Sequence, residues 1–423
     1  MKFMNFFTIT SIFLTFTVIL LGLNHYFKKP MQANIFLVLG SLLFCLMYRY
    51  ILNSGLLNGG TDDFISMVRS IDFPNVLING ILSYLLFAGA LHCDLNIIKK
   101  LKFTIIPLAL LGTLISTFII GSLMYFVFQL LNYHFSYLLC LIFGALISPT
   151  DPIAVLSMLK ELGAAKFLKE TLAGESLFND GVGIVVFITL IGILNGHSAT
   201  FSSIIYLFCL LTFGGLAYGY VVGMIGIKLI NLVDQDNEFT LILTLWITTT
   251  GYVIAEFLGV SGPLAMVVSG LLIGNKIDHW RTRQQLFAFW DTIDNSLNCF
   301  LFLLIGLEIL ILEIPYKLSF LIFLTIVITI IARAASVYLS LYLFKRHNGK
   351  TLPLWSIISW GGLRGGLAIA LVLSLPNSVD HQVLTILTYA VVLFSIIVQG
   401  LTVKPLLERV VTLLEVDTRL SKN

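Results

Sequence analysis

Charge is what this chain has least of. Asp, Glu, Lys and Arg make up 11% of its 423 residues, and hydrophobic residues make up 58%. A soluble domain is about 25% charged, so an ordinary soluble enzyme is excluded. The net charge of +3 is small. No basic patch with interleaved aromatics is present, which excludes nucleic acid as a partner. Five cysteines (Cys45, Cys93, Cys140, Cys209 and Cys299) lie in or beside apolar runs without CxxC spacing. They read as small membrane hydrophobes and exclude a disulfide framework or thiolate metal site. The N-terminus lacks the marks of a signal peptide: only Lys2 precedes the apolar run, and no small-residue cleavage site follows it. It is read as a helix. Prolines number only 10, so two of them close together inside an apolar run carry information.

What is present instead is apolar length. Thirteen runs are predicted to cross the ~30 Å of bilayer hydrocarbon as helices. They lie at about 4–23, 31–51, 73–91, 103–131, 136–158, 172–194, 203–231, 239–258, 260–275, 292–313, 318–344, 354–374 and 383–412. The segment 277–290 (IDHWRTRQQLFAFW) is amphipathic and is expected to lie along the membrane surface. Most of the 25 Lys and Arg residues fall in alternate loops. These hold Lys28 and Lys29; Lys99, Lys100 and Lys102; Lys160, Lys166 and Lys169; Lys228; Lys276, Arg281 and Arg283; Lys345, Arg346 and Lys350; then Lys404, Arg409, Arg419 and Lys422. The other side holds Lys2, Arg49, Arg69 and Lys317. Positive loops stay inside. The expectation is an all-α, multi-pass protein of the cell (inner) membrane, N-terminus outside and C-terminus cytoplasmic.

Two of these helices should be broken. In ALISPTDPIAVL, Pro149 and Pro152 supply no backbone N–H, so the carbonyls of Ala145 and Ser148 lose their helical donors. Ser148 and Asp151 each precede a proline and are pushed out of helical geometry. Residues 148–152 are therefore expected to be unwound near mid-membrane. In WGGLRGGLAIAL, Gly361, Gly362, Gly365 and Gly366 flank Arg364, and glycine costs about 1 kcal/mol per helical position relative to alanine. The two broken helices run in opposite directions. That predicts an inverted repeat, spans 1–6 against 8–13 around the seventh, with the binding site where the breaks cross.

The sixth span, through GESLFNDGVGIVVF, carries the remaining polar residues. Ser176 and Asp180 are four apart on one face, while Glu175 and Asn179 are four apart on a neighbouring face about 100° away. An ionisable residue at this depth is by default functional. Arg364 does not discharge, and Glu175 is the nearest plausible counter-charge. That leaves Asp151 and Asp180 as the free acids. Their oxygens suit a small alkali cation, and Na+ at Asp180 and Asp151 is the expected occupant. Arg333 is expected to snorkel or face an interface. Asp94, Asp291 and Asp294 lie near cytoplasmic ends, as either a solvated edge or an acidic funnel. His92, His279 and His347 lie near the same face as scattered surface residues or a pH sensor. Glu256 and Glu308 have no assigned role.

The motifs TDP, GESLFNDG and GGLRGGLAIALVLSLP resemble the signatures of sodium/proton exchangers. They are most similar to the first branch of the cation:proton antiporter superfamily, which carries Asn-Asp. EFLGVSGPLAMVVSGLLIGN (256–275) and FLFLLIGLEI (300–309) resemble that family's eighth-to-tenth helices. The resemblance implies a thirteen-helix homodimer in the bilayer. Its mobile core would take in about 103–194 and 318–412, and its dimerisation helices about 4–91 and 203–313. Asp180 would be the ion- and proton-binding acid, with Asp151, Thr150 and Ser176 completing the site. Asn179, Glu175 and Arg364 would form the supporting network. The chain would be a transporter rather than an enzyme, exchanging Na+ or Li+ for H+ with no cofactor. A K+/H+ antiporter of the same fold is the alternative. One departure stands out: FAGALHCDL (87–95) has Ala88 where many members carry glutamate, so an ancillary cation ligand is missing. No long cytoplasmic regulatory domain is expected after the last helix.

Because Asn179 stands where the sister branch has a second aspartate, a single carboxylate titrates. The expectation is one-for-one, electroneutral exchange. Other classes fit less well. An intramembrane aspartyl protease has GxGD and YD contexts, and a channel usually needs rings of identical groups. A carrier of organic anions is disfavoured by the acidic site.

Overall fold

The computed structural model describes residues 6–27, 31–53, 72–195, 201–232, 237–277, 280–309, 312, 315–343, 351–376 and 379–420. Apart from one isolated bridge, the regular structure of these residues is helical. The helices are α1 (Phe6–Tyr26), α2 (Ala33–Asn53), α3 (Phe73–His92, with a π-helical turn at Val76–Ile81) and α4 (Leu95–Leu130). Next come α5 (Tyr137–Ile147), α6 (Ile153–Glu161), α7 (Lys166–Leu194), α8 (Phe201–Leu232), α9 (Asn237–Phe257), α10 (Gly262–Lys276) and α11 (Trp280–Glu308). The chain continues through α12 (Ser319–Leu343), α13 (Thr351–Trp360), α14 (Gly366–Leu373) and α15 (Val379–Phe394). A π-helical turn, Ser395–Gln399, then leads into α16 (Gly400–Leu420). Among the described residues, 8 helices are long and apolar enough to cross a membrane.

Local chemistry fixes several starts. Asp94 caps α4, its Oδ1 accepting from Asn96 N at 3.0 Å and Ile97 N at 3.3 Å. Ser136 caps α5 through Leu139 N at 3.2 Å. Both satisfy amides that lack a partner in the first helical turn. Small residues then let helices close in, as is common between membrane helices. A Cβ added at Gly144 of α5 would stand 2.3 Å from the Thr117 carbonyl of α4, and one at Gly274 of α10 would stand 2.1 Å from the Leu91 carbonyl of α3. One buried apolar cluster joins α1, α2 and the first turns of α3 to α4–α7 and α11–α16, and a second joins the rest of α3, with residues of α4 and α7, to α8–α11.

The amphipathic segment at 277–290 differs from expectation. From Trp280 onward it is continuous with the next span as α11, and its apolar face packs on protein. Trp290 is fully buried, its ring 4.8 Å from that of Phe87 and its Nε1 donating to Thr244 Oγ1 at 3.1 Å. Helix α4 likewise starts well before the predicted span and takes in Lys99, Lys100 and Lys102. Of the basic residues used for orientation, Lys2, Lys28, Lys29, Arg69, Lys345, Arg346, Lys350 and Lys422 lie outside the described residues.

Candidate functional site

Pro149 and Pro152 interrupt the helix as their missing N–H groups require, ending α5 and starting α6. The unwound stretch meets the glycine break between α13 and α14. There Asp151 N donates to Leu363 O at 2.7 Å, a single antiparallel pair. The glycines permit this approach. A Cβ at Gly365 would lie 2.8 Å from Asp151 Oδ2, and one at Gly362 would lie 2.7 Å from Arg333 Nε.

Four half-helix ends converge here, the N-termini of α6 and α14 with partial positive charge and the C-termini of α5 and α13 with partial negative charge. Asp151 sits at a positive end, its Oδ1 accepting from Ile153 N at 3.0 Å. Arg364 answers a negative end. Its Nη1 donates to Ser148 O at 2.7 Å and Pro149 O at 3.1 Å, taking up the Ser148 carbonyl freed by the proline. Its backbone N–H donates to Ser395 Oγ at 2.8 Å, and Ser395 Oγ donates to Gln399 Oε1 at 2.6 Å. The π-helical turn after α15 thus anchors the glycine break.

Glu175 is not held by Arg364, contrary to the expectation from sequence. Arg333 of α12 holds it, with Nη1 to Oε1 and Nη2 to Oε2, both at 3.0 Å. The reason is geometric: the unwound backbone turns Arg364 onto the α5 carbonyls, whereas Arg333 comes from a continuous helix packed on α4 and α13. Arg333 is 3% exposed, so it does not snorkel. Its Nη2 also reaches Ile358 O at 3.4 Å, near the end of α13. Each broken helix therefore has a guanidinium at its negative end.

Asn179, fully buried, completes the network. Its Nδ2 donates to Glu175 Oε1 at 2.7 Å and Thr150 Oγ1 at 2.8 Å, and its Oδ1 accepts from Thr150 N at 3.3 Å. The Ser176 hydroxyl donates to the Thr150 carbonyl. Thr150 thus joins the supporting network through its hydroxyl and meets Ser176 through its carbonyl. The pairing of Glu175 with Asn179 on one face of α7 is as the helical spacing required.

Asp180 is placed differently. With Asp151, Ser176 and Gly365 it lines a cavity of about 750 Å³. Among the described residues, no hydrogen bond or ion pair occupies its carboxylate. The cavity extends to where α6 meets α7 and is lined there by Lys160, Lys166, Lys169 and Glu170. At this rim Lys166 Nζ donates to Asp94 Oδ2 at 2.8 Å, Asp94 N donates to Glu170 Oε2 at 3.1 Å, and His92 pairs with Asp291 at 3.1 Å. Asp294 lines the cavity. Ala88 is fully buried, and α3 presents Leu85, Leu86 and Gly89 to the cavity. His279 and His347 lie outside the described residues.

Comparison with known proteins agrees in sequence and fold. The profile of the family described as "Sodium/hydrogen exchanger, transmembrane" matches residues 52–409. The chain is 43% identical over 353 residues to the Na(+)/H(+) antiporter NhaP of Pseudomonas aeruginosa, covering 81% of this chain and 83% of that one. It is 35% identical to the Na(+)/H(+) antiporter NhaH of Halobacillus aidingensis, covering 80% and 83%. The structure of the sodium proton antiporter MjNhaP1 from Methanocaldococcus jannaschii superposes with a TM-score of 0.73 at 20% identity, over 95% of this chain and 97% of that one. That likeness concerns the fold.

Proposed function

The chain belongs to the sodium/hydrogen exchanger family, and on that premise we propose that it exchanges Na+, or Li+, for H+ across a cell membrane, one for one. The observation that carries this reading is the division of polar groups at the crossing. Glu175, Asn179, Arg333 and Arg364 are bonded to one another or to freed backbone. Asp180 instead faces the cavity beside Asp151 and Ser176. Apart from Asp294 and Glu170 on the cavity wall, the two guanidiniums at the crossing oppose three carboxylates, Glu175, Asp151 and Asp180. The balance is one negative charge, which a single proton or monovalent cation neutralises.

Competition follows from that balance. Asp180 takes either H+ or a cation, with Asp151, Ser176 and the Thr150 carbonyl supplying further hard oxygens. Moving a bare charge through hydrocarbon costs several kcal/mol, so the core shifts only with Asp180 neutralised, and no net charge crosses. The core is about 103–194 and 318–412, working against about 4–91 and 203–313 in a homodimer of thirteen-span protomers. The cavity reaches the lysine-rich end, which the charge distribution assigns to the cytoplasm; the arrangement is the inward-facing one. The N-terminus is then outside.

Proton efflux from inside-out vesicles, scanned across Na+, Li+ and K+ at several pH values, tests this. Na+ and Li+ drive efflux through the parent chain and none through Asp180→Asn. Na+-dependent flux retained in that variant removes Asp180 from the central role.

A further inference from the structure

Asn298 of α11 is a buried amide with an unused oxygen. It lies in the apolar run SLNCFLFLLIG and is 2% exposed. Among the described residues, its Oδ1 accepts no hydrogen bond. Its Nδ2 is taken up by the carboxylate of Asp294, one helical turn earlier. Buried amides are nearly always bonded, and an oxygen left open is costlier than an apolar group of the same shape. The side chain therefore points to a partner that comes and goes.

Its position indicates which partner. Asn298 lines the same cavity as Asp151, Ser176 and Asp180. One turn further along α11, Leu301 packs on the start of α14. A Cβ at Gly366 would stand 2.6 Å from Leu301 Cδ1, while one at the adjacent Gly365 would stand 2.8 Å from Asp151 Oδ2. The amide is thus a helical turn from the point where α11 touches the crossing. The α3 wall of the cavity, with Leu82, Leu85, Leu86 and Gly89, has no side-chain oxygen to offer at these positions.

We infer that Asn298 Oδ1 is a further ligand of the transported cation, reaching the site from α11. The inference rests on the exchange reading above. An amide oxygen is a hard donor that adds no charge. It strengthens cation binding and leaves the one-charge balance at the crossing unchanged. A proton on Asp180 makes no use of it. Asn298 therefore weights the competition toward the cation and sets the apparent affinity for Na+.

The test is the Na+ dependence of proton efflux in inside-out vesicles holding the full chain, its Asn298→Leu variant or its Asn298→Gln variant. Leucine keeps the volume and removes the oxygen; glutamine keeps a neutral amide oxygen. Losing one charge-assisted ligand raises half-saturating Na+ about tenfold in Asn298→Leu, more than it lowers the maximal rate. Asn298→Gln stays within about threefold of the parent, because it still supplies a neutral amide oxygen. Parent-like half-saturation in Asn298→Leu overturns this inference and leaves the exchange reading standing. A parent chain with no Na+-driven flux overturns both. Should Asn298→Leu not accumulate in the membrane, the rise in melting temperature of detergent-purified Asn298→Ala with added Na+ reads the same quantity. It is smaller than in the parent if the amide is a ligand, and equal to the parent if it is not.

Discussion

Arg333 and Glu175 form a two-pronged ion pair between α12 and α7, each guanidinium Nη meeting one carboxylate oxygen at 3.0 Å. Both residues are buried. Removing one partner of such a pair leaves an uncompensated charge and costs about 3–5 kcal/mol, whereas replacing both with apolar groups is often neutral or better. Arg333→Met and Glu175→Leu should each lower the melting temperature of the detergent-purified protein sharply. The double variant should recover much of that loss. Additive destabilisation in the double variant would show that the two residues act independently.

Arg364 acts on backbone instead. Its Nη1 takes the carbonyls of Ser148 and Pro149, which sit at the negative end of α5. Arg364→Met leaves these acceptors unmet, at about 1–3 kcal/mol each. Lysine carries one compact charge and lacks the planar fork. Arg364→Lys should therefore recover only part of the stability, read as thermal melting beside exchange rate. Full recovery by lysine would show that charge alone matters there.

The crossing depends on Gly365. A Cβ there meets Asp151 Oδ2 at 2.8 Å and Asp151 Cβ at 2.9 Å, and overpacking of this kind costs about 1–3 kcal/mol. Gly365→Ala should push Asp151 off the α6 start and reduce Na+-driven exchange at least about tenfold, as a 1.4 kcal/mol effect on the barrier does. Parent-like exchange would mean that the approach of the two breaks is not needed.

At the rim, the hydrogen bond from Lys166 holds the Asp94 carboxyl below its ordinary value, and the same bond holds the Lys166 ammonium above its own. The Asp94 contribution is present above the ordinary carboxylate value of about 4. It is lost as pH falls through the depressed folded value. The Lys166 contribution is present below the ordinary ammonium value and is lost as pH rises through the raised one. Lys166→Met should lower the neutral plateau of a melting-temperature profile slightly, since the pair is partly exposed and screened, and leave melting unchanged where Asp94 is protonated, so that the acid limb is shallower. An acid limb identical to that of the parent would show that Asp94 contributes nothing there.

Much of this site was legible from residue order. The prolines and glycines marked both breaks, and four-residue spacing on α7 sorted Ser176 and Asp180 from Glu175 and Asn179. The partner of Glu175 was not legible, because the register between α7 and α12 is tertiary. A signal did exist: Arg333 stands about 15 Å of helix from the nearer end of Ser319–Leu343, at 1.5 Å per residue, too far for its side chain to reach water. The segment before Trp290 was misplaced because an amphipathic pattern looks alike against a bilayer surface and against protein. Asn298 carried a weaker mark, a lone amide in an apolar run.

Exchange of one cation for one proton at Asp180 moves no net charge. Its most direct measurement is Na+/H+ turnover by the purified chain in vesicles clamped at different membrane potentials. Turnover should be the same at every potential. Turnover that rises steeply with voltage would contradict it.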